Sequence, residues 1–328
     1  MPAALDYPIS IAPMMDYTDR HCRFLLRLIS KKAVLYTEMI TSAALLRGDR
    51  QRLLAFHPAE HPVVAQLGGS QPKELAYCAQ LVEQQGYDGV NLNVGCPSNK
   101  VQAGRFGACL MQEPQLVARC ISAMNHQVSI PVTIKTRLGV DQQDSYPALK
   151  SFIQQTADAG CRCFIIHARK AWLKGLSPKE NRTIPPLKYQ WVYQVKQDFP
   201  TLSIVINGGI CHRDQITAHL QQVDGVMLGR QAYKQPLWLA EIEQHLLASQ
   251  NHCSYQQVLT DYLAYVEQQL SRGVPFRVMV RHLPGLFHGL PGARQIRRCL
   301  TSQSTGISEQ LLTTINQLTN GQQSLCRE

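Results

Sequence analysis

Polar side chains recur at one place in a series of apolar segments: Glu38, Gln66, Asn93 with Cys96 just beyond it, Lys135, His167, Asn207 and Arg230. Taken singly, a lysine or histidine in such a run reads as a satisfied structural residue. Recurrence alters the balance. A lysine, a histidine and three amides gathered around one opening are costly to desolvate unless a polar ligand meets them. Cys96 adds a thiol on a Gly-Cys-Pro turn. With a reference pKa of about 8.5, a thiol is mostly protonated at neutral pH and can serve as a general acid. The bland alternative for Cys96 is a buried inert cysteine, the expected state of the other ten. Cys109 is the rival donor, but its Ala-Cys-Leu-Met setting reads as core.

The segments that must position these groups are eight short Val/Ile/Leu-rich runs at 9–14, 34–39, 63–68, 90–95, 132–137, 163–168, 203–207 and 225–229. Helical spacing fills the intervals at 72–85, 114–125, 147–159 and 191–198, several opening on Ser, Asp or Pro. Continuous apolar strands, each followed by a helix, imply a parallel sheet covered on its outer face. Eight units within about 245 residues match a closed (β/α)₈ TIM barrel, and no Gly-x-Gly-x-x-Gly follows the first strand to suggest a Rossmann domain. Beyond residue 249 the alternation stops. Helical stretches at 255–270, 277–287 and 293–300 indicate a small all-helical C-terminal domain. The expected division is a catalytic barrel over 1–248 and a helical domain over 249–328.

In such a barrel the chemistry sits at the C-terminal strand ends, and phosphates bind at the loops after strands seven and eight. Asn207-Gly208-Gly209 and Gly229-Arg230 stand there. Glycines allow backbone N–H groups close to a phosphate, although tight β–α turns explain them equally well. Arg230 can add a charge-assisted contact. Lys135 places a positive charge near the barrel centre, where it would stabilise an anionic reduced flavin. Flavin mononucleotide (FMN) fits this set.

The 328 residues carry a net charge of +10 and a pI near 9.1, so the distribution of charge bears on the partner. The loop 168–187 holds Arg169, Lys170, Lys174, Lys179 and Arg182 against one acid, Glu180. Between Gln268 and Ser308 stand six arginines and no acid; Arg294, Arg297 and Arg298 lie three or four residues apart on one helix face. A solvated helix face would mix signs, so this pattern favours RNA. Eleven scattered cysteines without a Cys-x-x-Cys pair predict free thiols and no structural metal. No leader and no 18-residue apolar run is evident, which predicts a cytoplasmic protein with no membrane partner; a monomer is the plain default.

These residues fall into motifs. Ala12-Pro13-Met14, Tyr36-Thr37-Glu38-Met39, Gln66-Leu67-Gly68-Gly69, Asn93-Val94-Gly95-Cys96-Pro97, Gly107-Ala108-Cys109-Leu110, Lys135-Thr136-Arg137, His167-Ala168-Arg169 and Asn207-Gly208-Gly209 resemble the tRNA-dihydrouridine synthases. Ala168–Leu173 and Ser177–Arg182 are most similar to the branch acting on D-loop uridines 20 and 20a. The resemblance spans the barrel and continues into the C-terminal helices. It implies bound FMN, NADPH as reductant and tRNA as substrate. It implies that Cys96 is catalytic and that Pro13, Met14, Met15, Gln66, Lys135, His167, Asn207, Gly208, Gly209, Gly229 and Arg230 hold FMN. Asn93 and Arg182 match positions that meet RNA; Arg105, Lys179, Arg294, Arg297 and Arg298 are further expected RNA contacts. A small-molecule FMN reductase, of enoate or dihydroorotate type, accounts for the barrel mouth but leaves the arginine-rich helices without a purpose. A nonenzymatic RNA-binding protein on a decayed barrel should show gaps in the polar set.

Overall fold

The computed structural model describes residues 8–246, 254–289 and 293–302. Eight strands form one sheet: β1 Ile9–Ile11, β2 Leu35–Thr41, β3 Val63–Gly68, β4 Gly89–Val94, β5 Val132–Arg137, β6 Cys163–His167, β7 Ser203–Asn207 and β8 Gly225–Leu228. Their spatial order is β1-β8-β7-β6-β5-β4-β3-β2, with every neighbouring pair parallel. The two ends meet through a bridge between Ser10 and Val34. There the Ile11 N–H donates to Val34 O at 2.8 Å and the Val34 N–H to Ile9 O at 3.0 Å. The sheet thus closes into the expected barrel.

β3 and β4 are buried along their whole length, because both faces of the sheet are covered. Pro72 and Pro114 open the helices Pro72–Gln84 and Pro114–Gln127, where a missing N–H costs nothing. Ser145 caps Tyr146–Asp158 by accepting from the Ala148 N–H. β1 stops at Ile11, short of the expected residue 14. Pro13 has no N–H to continue a ladder, and the Met14 N–H turns back to Thr18 Oγ1 at 2.9 Å. β2 has a register shift between Tyr36 and Met39, which lets Thr37 Oγ1 accept from the Gln66 N–H at 3.0 Å.

Inside the barrel an apolar layer of Ala12, Val34, Tyr36, Val64, Ile165 and Met227 fills the space. Two residues along, on the same face of each strand, Val64 gives way to Gln66, Ile165 to His167 and Val205 to Asn207. An apolar floor therefore carries a polar layer at the C-terminal strand ends.

The described chain forms two compact units, one of residues 8–18 and 32–229, the other of 19–31, 230–246, 254–289 and 293–302. The second contains the helices Arg20–Ile29, Arg230–Lys234, Trp238–Leu246, Tyr255–Ser271, Phe276–Val280 and Ala293–Ser302, with a 3₁₀ turn at Leu283–Phe287. Its membership of residues 19–31 is not evident from local sequence. Asp19 caps Arg20–Ile29 through the His21 and Cys22 N–H groups and pairs with Arg281 at 2.7 Å and His282 at 3.0 Å. Phe24 stacks on Tyr265 with ring centroids 4.0 Å apart. The expected domain boundary at 248/249 lies outside the described residues.

Candidate active site

The polar layer is a connected network. Asn93 donates from Nδ2 to Gln66 Oε1 (2.8 Å), Gln66 from Nε2 to Asn91 Oδ1 (2.8 Å), and Asn91 from Nδ2 to Thr133 Oγ1 (2.9 Å). Across the barrel, Lys135 Nζ donates to Asn207 Oδ1 at 3.0 Å while Asn207 Nδ2 donates to Met227 O at 2.8 Å. Buried amides bonded in series fix one another's rotamers, so the layer is pre-formed.

Cys96 is placed by this layer. The Oδ1 atom of Asn93 accepts from the Gly95 N–H at 3.1 Å and the Cys96 N–H at 2.9 Å, which sets the turn after β4. The Ala108 N–H holds Cys96 O at 2.9 Å. Gly107, at φ +75°, makes that approach possible: a Cβ there would lie 2.6 Å from Cys96 O and 2.4 Å from Val101 Cγ1. Burial pushes the thiol pKa above its ordinary value, only partly countered by the Ser98 N–H and the charges of Arg137, Arg182 and Lys135. The group keeps its proton at neutral pH. Cys109, the rival, is half-buried with its Sγ 3.1 Å from Phe106 O and has its pKa raised by burial as well, so protonation does not separate the two. Position does: the charges acting on Cys96 are those of the barrel mouth, whereas Cys109 feels Glu113 and Arg105.

Lys135 is half-buried; the surrounding protein desolvates its ammonium and, with Arg137, pulls its pKa down to about 7. His167 is held well below its ordinary value by burial and by Arg137, Lys135, Arg169 and Arg182, so it is neutral and offers one donor and one acceptor. Four basic side chains, Lys135, Arg137, Arg169 and Arg182, thus act together on neutral His167. Such a cluster suits an anionic ligand that would relieve its repulsion.

Glycines form the turns beside it, close-packed at Gly208 and open at Gly229. Gly208 has φ +122° and a Cβ there would lie 2.7 Å from His167 Cδ2. At Gly229 a Cβ would meet only Ala12 and Met14, each at 4.0 Å. Gly209, at φ +71°, is exposed, and Tyr189 donates its hydroxyl to Gly208 O at 2.6 Å, bracing the turn. Pro13 and Met14 are half-buried and Met15 is 52% exposed. Their loop is held by Glu38, whose Oε1 accepts from the Asp16 N–H at 2.5 Å. Arg230 is exposed and opens its helix in the second unit.

The expected RNA contacts divide. Arg182 is exposed and acts electrostatically on both Cys96 and His167. Asn93 is buried, its amide engaged by Gln66 and the Cys96 turn. Arg105 is 82% exposed, with φ +55° and a long 3.9 Å pairing to Glu113. Lys179 is exposed. On Ala293–Ser302, Arg294, Arg297 and Arg298 are exposed and share one face, opposite buried Ile296 and Leu300. Arg297 donates from Nε to Ala293 O at 3.1 Å, and Arg281 is paired with Asp19.

Arg137 is the main residue that sequence reasoning left without a role. It is buried at the end of β5 and donates to Gly95 O (2.9 Å), Lys170 O (3.0 Å) and Asn181 O (2.9 Å). It thereby ties the Cys96 turn to the loop after β6. Asn91 and Thr133 also passed unassigned. The available signal was a buried arginine and asparagine in otherwise apolar strands.

Comparison with known proteins gives the arrangement its context. Residues 10–321 match the family model described as Dihydrouridine synthase (Dus). The chain is 56% identical over 301 residues to a tRNA-dihydrouridine(20/20a) synthase of Shewanella oneidensis, covering 92% of this chain and 90% of that protein. It is 53% identical over 298 residues to one of Vibrio cholerae (90% and 91% covered) and 54% over 300 residues to one of Escherichia coli O6:H1 (91% and 90%). Among solved structures, a 2-naphthoyl-CoA reductase in complex with 2-naphthoyl-CoA superposes with a TM-score of 0.55 at 10% identity, over 72% of this chain and 49% of that one, a likeness of fold alone. By its profile match and by relatives more than half identical along nine tenths of its length, this chain belongs to the dihydrouridine synthase family.

Proposed function

We propose that this protein reduces uridine to 5,6-dihydrouridine in tRNA, at positions 20 and 20a, with FMN as its bound cofactor, NADPH as reductant and Cys96 as proton donor. The observation that carries this reading is the Cys96 thiol, set by Asn93 on the turn after β4 beside the basic mouth of the barrel, in a chain more than half identical to tRNA-dihydrouridine(20/20a) synthases.

The fit of FMN to the mouth rests on the basic cluster, on the open backbone at Gly229, and on Gly208, whose missing side chain lets the turn approach His167 closely. Pro13, Met14, Met15, Gln66, Lys135, His167, Asn207, Gly208, Gly209, Gly229 and Arg230 would hold it. When bound and reduced, FMN supplies the hydride that adds to uracil C6. Because C5=C6 is conjugated with the C4 carbonyl, negative charge then builds on C5 and O4, and C5 must receive a proton. Cys96 delivers it from Sγ, completing the saturated C5–C6 bond. The thiolate left behind is stabilised by Arg137, Arg182 and Lys135 and regains its proton from solvent. Asn93 holds the turn from which that transfer is made. The reaction is expected in the cytoplasm by a monomer.

The uridine lies in a folded loop and must leave its stack to reach this depth. Arg105, Lys179 and Arg182 supply positive charge on the barrel, and Arg294, Arg297 and Arg298 on the helical unit. Replacing the last three together by Ala is expected to weaken tRNA binding and to lower its salt slope by about 2–3, one phosphate per arginine. An unchanged slope in a titration over salt would remove that face from the RNA footprint.

The reading is tested with purified, flavin-bearing protein. NADPH consumption should continue on tRNA and yield dihydrouridine, with free uridine monophosphate a poor substrate. Equal efficiency on the free nucleotide would favour a small-molecule reductase.

A further inference from the structure

A cavity of about 310 Å³ lies on the barrel rim between the segments that follow β5 and β6, and the reaction proposed above makes no use of it. Two of the chain's three tryptophans, Trp172 and Trp191, stand in its wall, both half-buried. Leu138 and Pro185 are buried beneath, and Ile184 is 59% exposed at the edge. Each indole has a lysine ammonium over its ring: Lys170 at 4.0 Å from Trp172 and Lys188 at 4.2 Å from Trp191. Asp144 lies 3.0 Å from the Lys170 ammonium and 4.0 Å from that of Lys188.

The walls are built rather than incidental. The backbone of Trp172 is clasped by the buried Asn181: its N–H donates to Asn181 Oδ1 at 2.8 Å and its carbonyl accepts from Asn181 Nδ2 at 2.9 Å. Arg169 donates to Pro185 O, and the Lys188 N–H donates to Ala168 O at 2.9 Å. Two links join the cavity to the Cys96 turn. Arg137 donates to Gly95 O and to Lys170 O, and Gln102 Nε2 donates to both Pro97 O (2.9 Å) and Leu173 O (2.8 Å). The Trp172 segment is therefore tied through the backbone to the turn that carries Cys96.

We infer that this cavity receives a second nucleotide of the RNA substrate, a neighbour of the uridine being reduced, with its base stacked on indole. The inference rests on the function proposed above. Aromatic faces accept any base by stacking, while cations beside them meet the phosphates. A lysine over a ring holds the face in the free protein and can swing to the backbone when a base arrives. Charge points to a polyanion: the loop that forms much of the wall also carries Arg169, Lys174, Lys179 and Arg182. A size near the lower end of the roughly 300–1,000 Å³ typical of ligand sites suits one nucleotide. Seating a neighbour at a fixed offset from Cys96 also supplies a register, which an enzyme acting at two adjacent positions requires.

The test uses flavin-loaded full-length protein and tRNA D-arm RNAs carrying one abasic nucleotide at each position flanking the reduced uridine. For the wild type, one flanking deletion should weaken binding about tenfold or more, the loss expected of one stacked base. Trp172→Ala/Trp191→Ala should bind intact RNA correspondingly less well and be indifferent to that deletion. Retained flavin certifies that this variant folds. Ile184→Glu, a substitution at an exposed position, should weaken RNA binding on its own and guards against loss of the double variant. Intact-RNA affinity equal to wild type in either folded variant, or the same deletion profile in wild type and variant, overturns the inference and leaves an apolar peptide as the other occupant. Binding is read separately from turnover. Failure of the wild type to form dihydrouridine therefore refutes the proposed function, while the binding profiles still decide the cavity.

Discussion

Cys96→Ala is expected to lower dihydrouridine formation in single turnover by about 10²–10⁴-fold, the usual contribution of a positioned general acid. Hydride addition without a proton for C5 leaves charge on C5 and O4 with no group to quench it, so the loss falls on the step at the base. Flavin content and flavin reduction by NADPH should persist, since Cys96 takes part in neither. Cys109→Ala should keep most of the activity, because that thiol lies outside the basic cluster. The pH profile carries a further expectation. The Cys96 pKa is raised, so the donor form is fully present at neutral pH and is lost only as pH rises past the ordinary thiol range. The rate should fall on the alkaline side, and that limb should be missing from the residual activity of Cys96→Ala. Wild-type turnover by Cys96→Ala would make the cysteine structural.

Lys135→Met is expected to weaken flavin retention by about 10–100-fold, the worth of one hydrogen bond to a charged group, about 1.5–3 kcal/mol. The pH dependence follows from the depressed pKa. In the free protein the ammonium loses its proton near pH 7. An anionic flavin held against it favours the charged form and raises that pKa, so binding takes up a proton above pH 7. Flavin affinity should therefore be greatest at and below pH 7 and decline as pH rises beyond it, by at most tenfold per unit. Calorimetry in buffers of different ionisation enthalpy would register the proton uptake, and Lys135→Met should abolish it. Equal affinity in the variant, with no proton uptake in the wild type, would confine Lys135 to holding Asn207.

Much of this arrangement is visible in the chain because a parallel barrel writes its strands as apolar runs. β3, β5 and β7 have the expected ends, and β4, β6 and β8 differ by one residue. β1 was overrun because Ala12 to Met14 continue the apolar pattern although Pro13 stops the ladder. The polar layer was legible for the same reason: Lys135, His167 and Asn207 interrupt runs that would otherwise be continuous. Contacts that join distant segments were not. Arg137 bonds carbonyls 42, 33 and 44 residues away, and no local spacing announces that. Asp19 reads as an ordinary helix cap, while its pairing with Arg281 and His282 draws residues 19–31 into the helical unit. The two tryptophans likewise read as separate loop and helix residues until the fold sets them in one wall.

The most direct test is position-mapped mass spectrometry of tRNA from cells with and without the gene for this protein. Loss of dihydrouridine at positions 20 and 20a, restored by the wild-type gene and not by Cys96→Ala, is the predicted result. Unchanged dihydrouridine at every position would contradict the account.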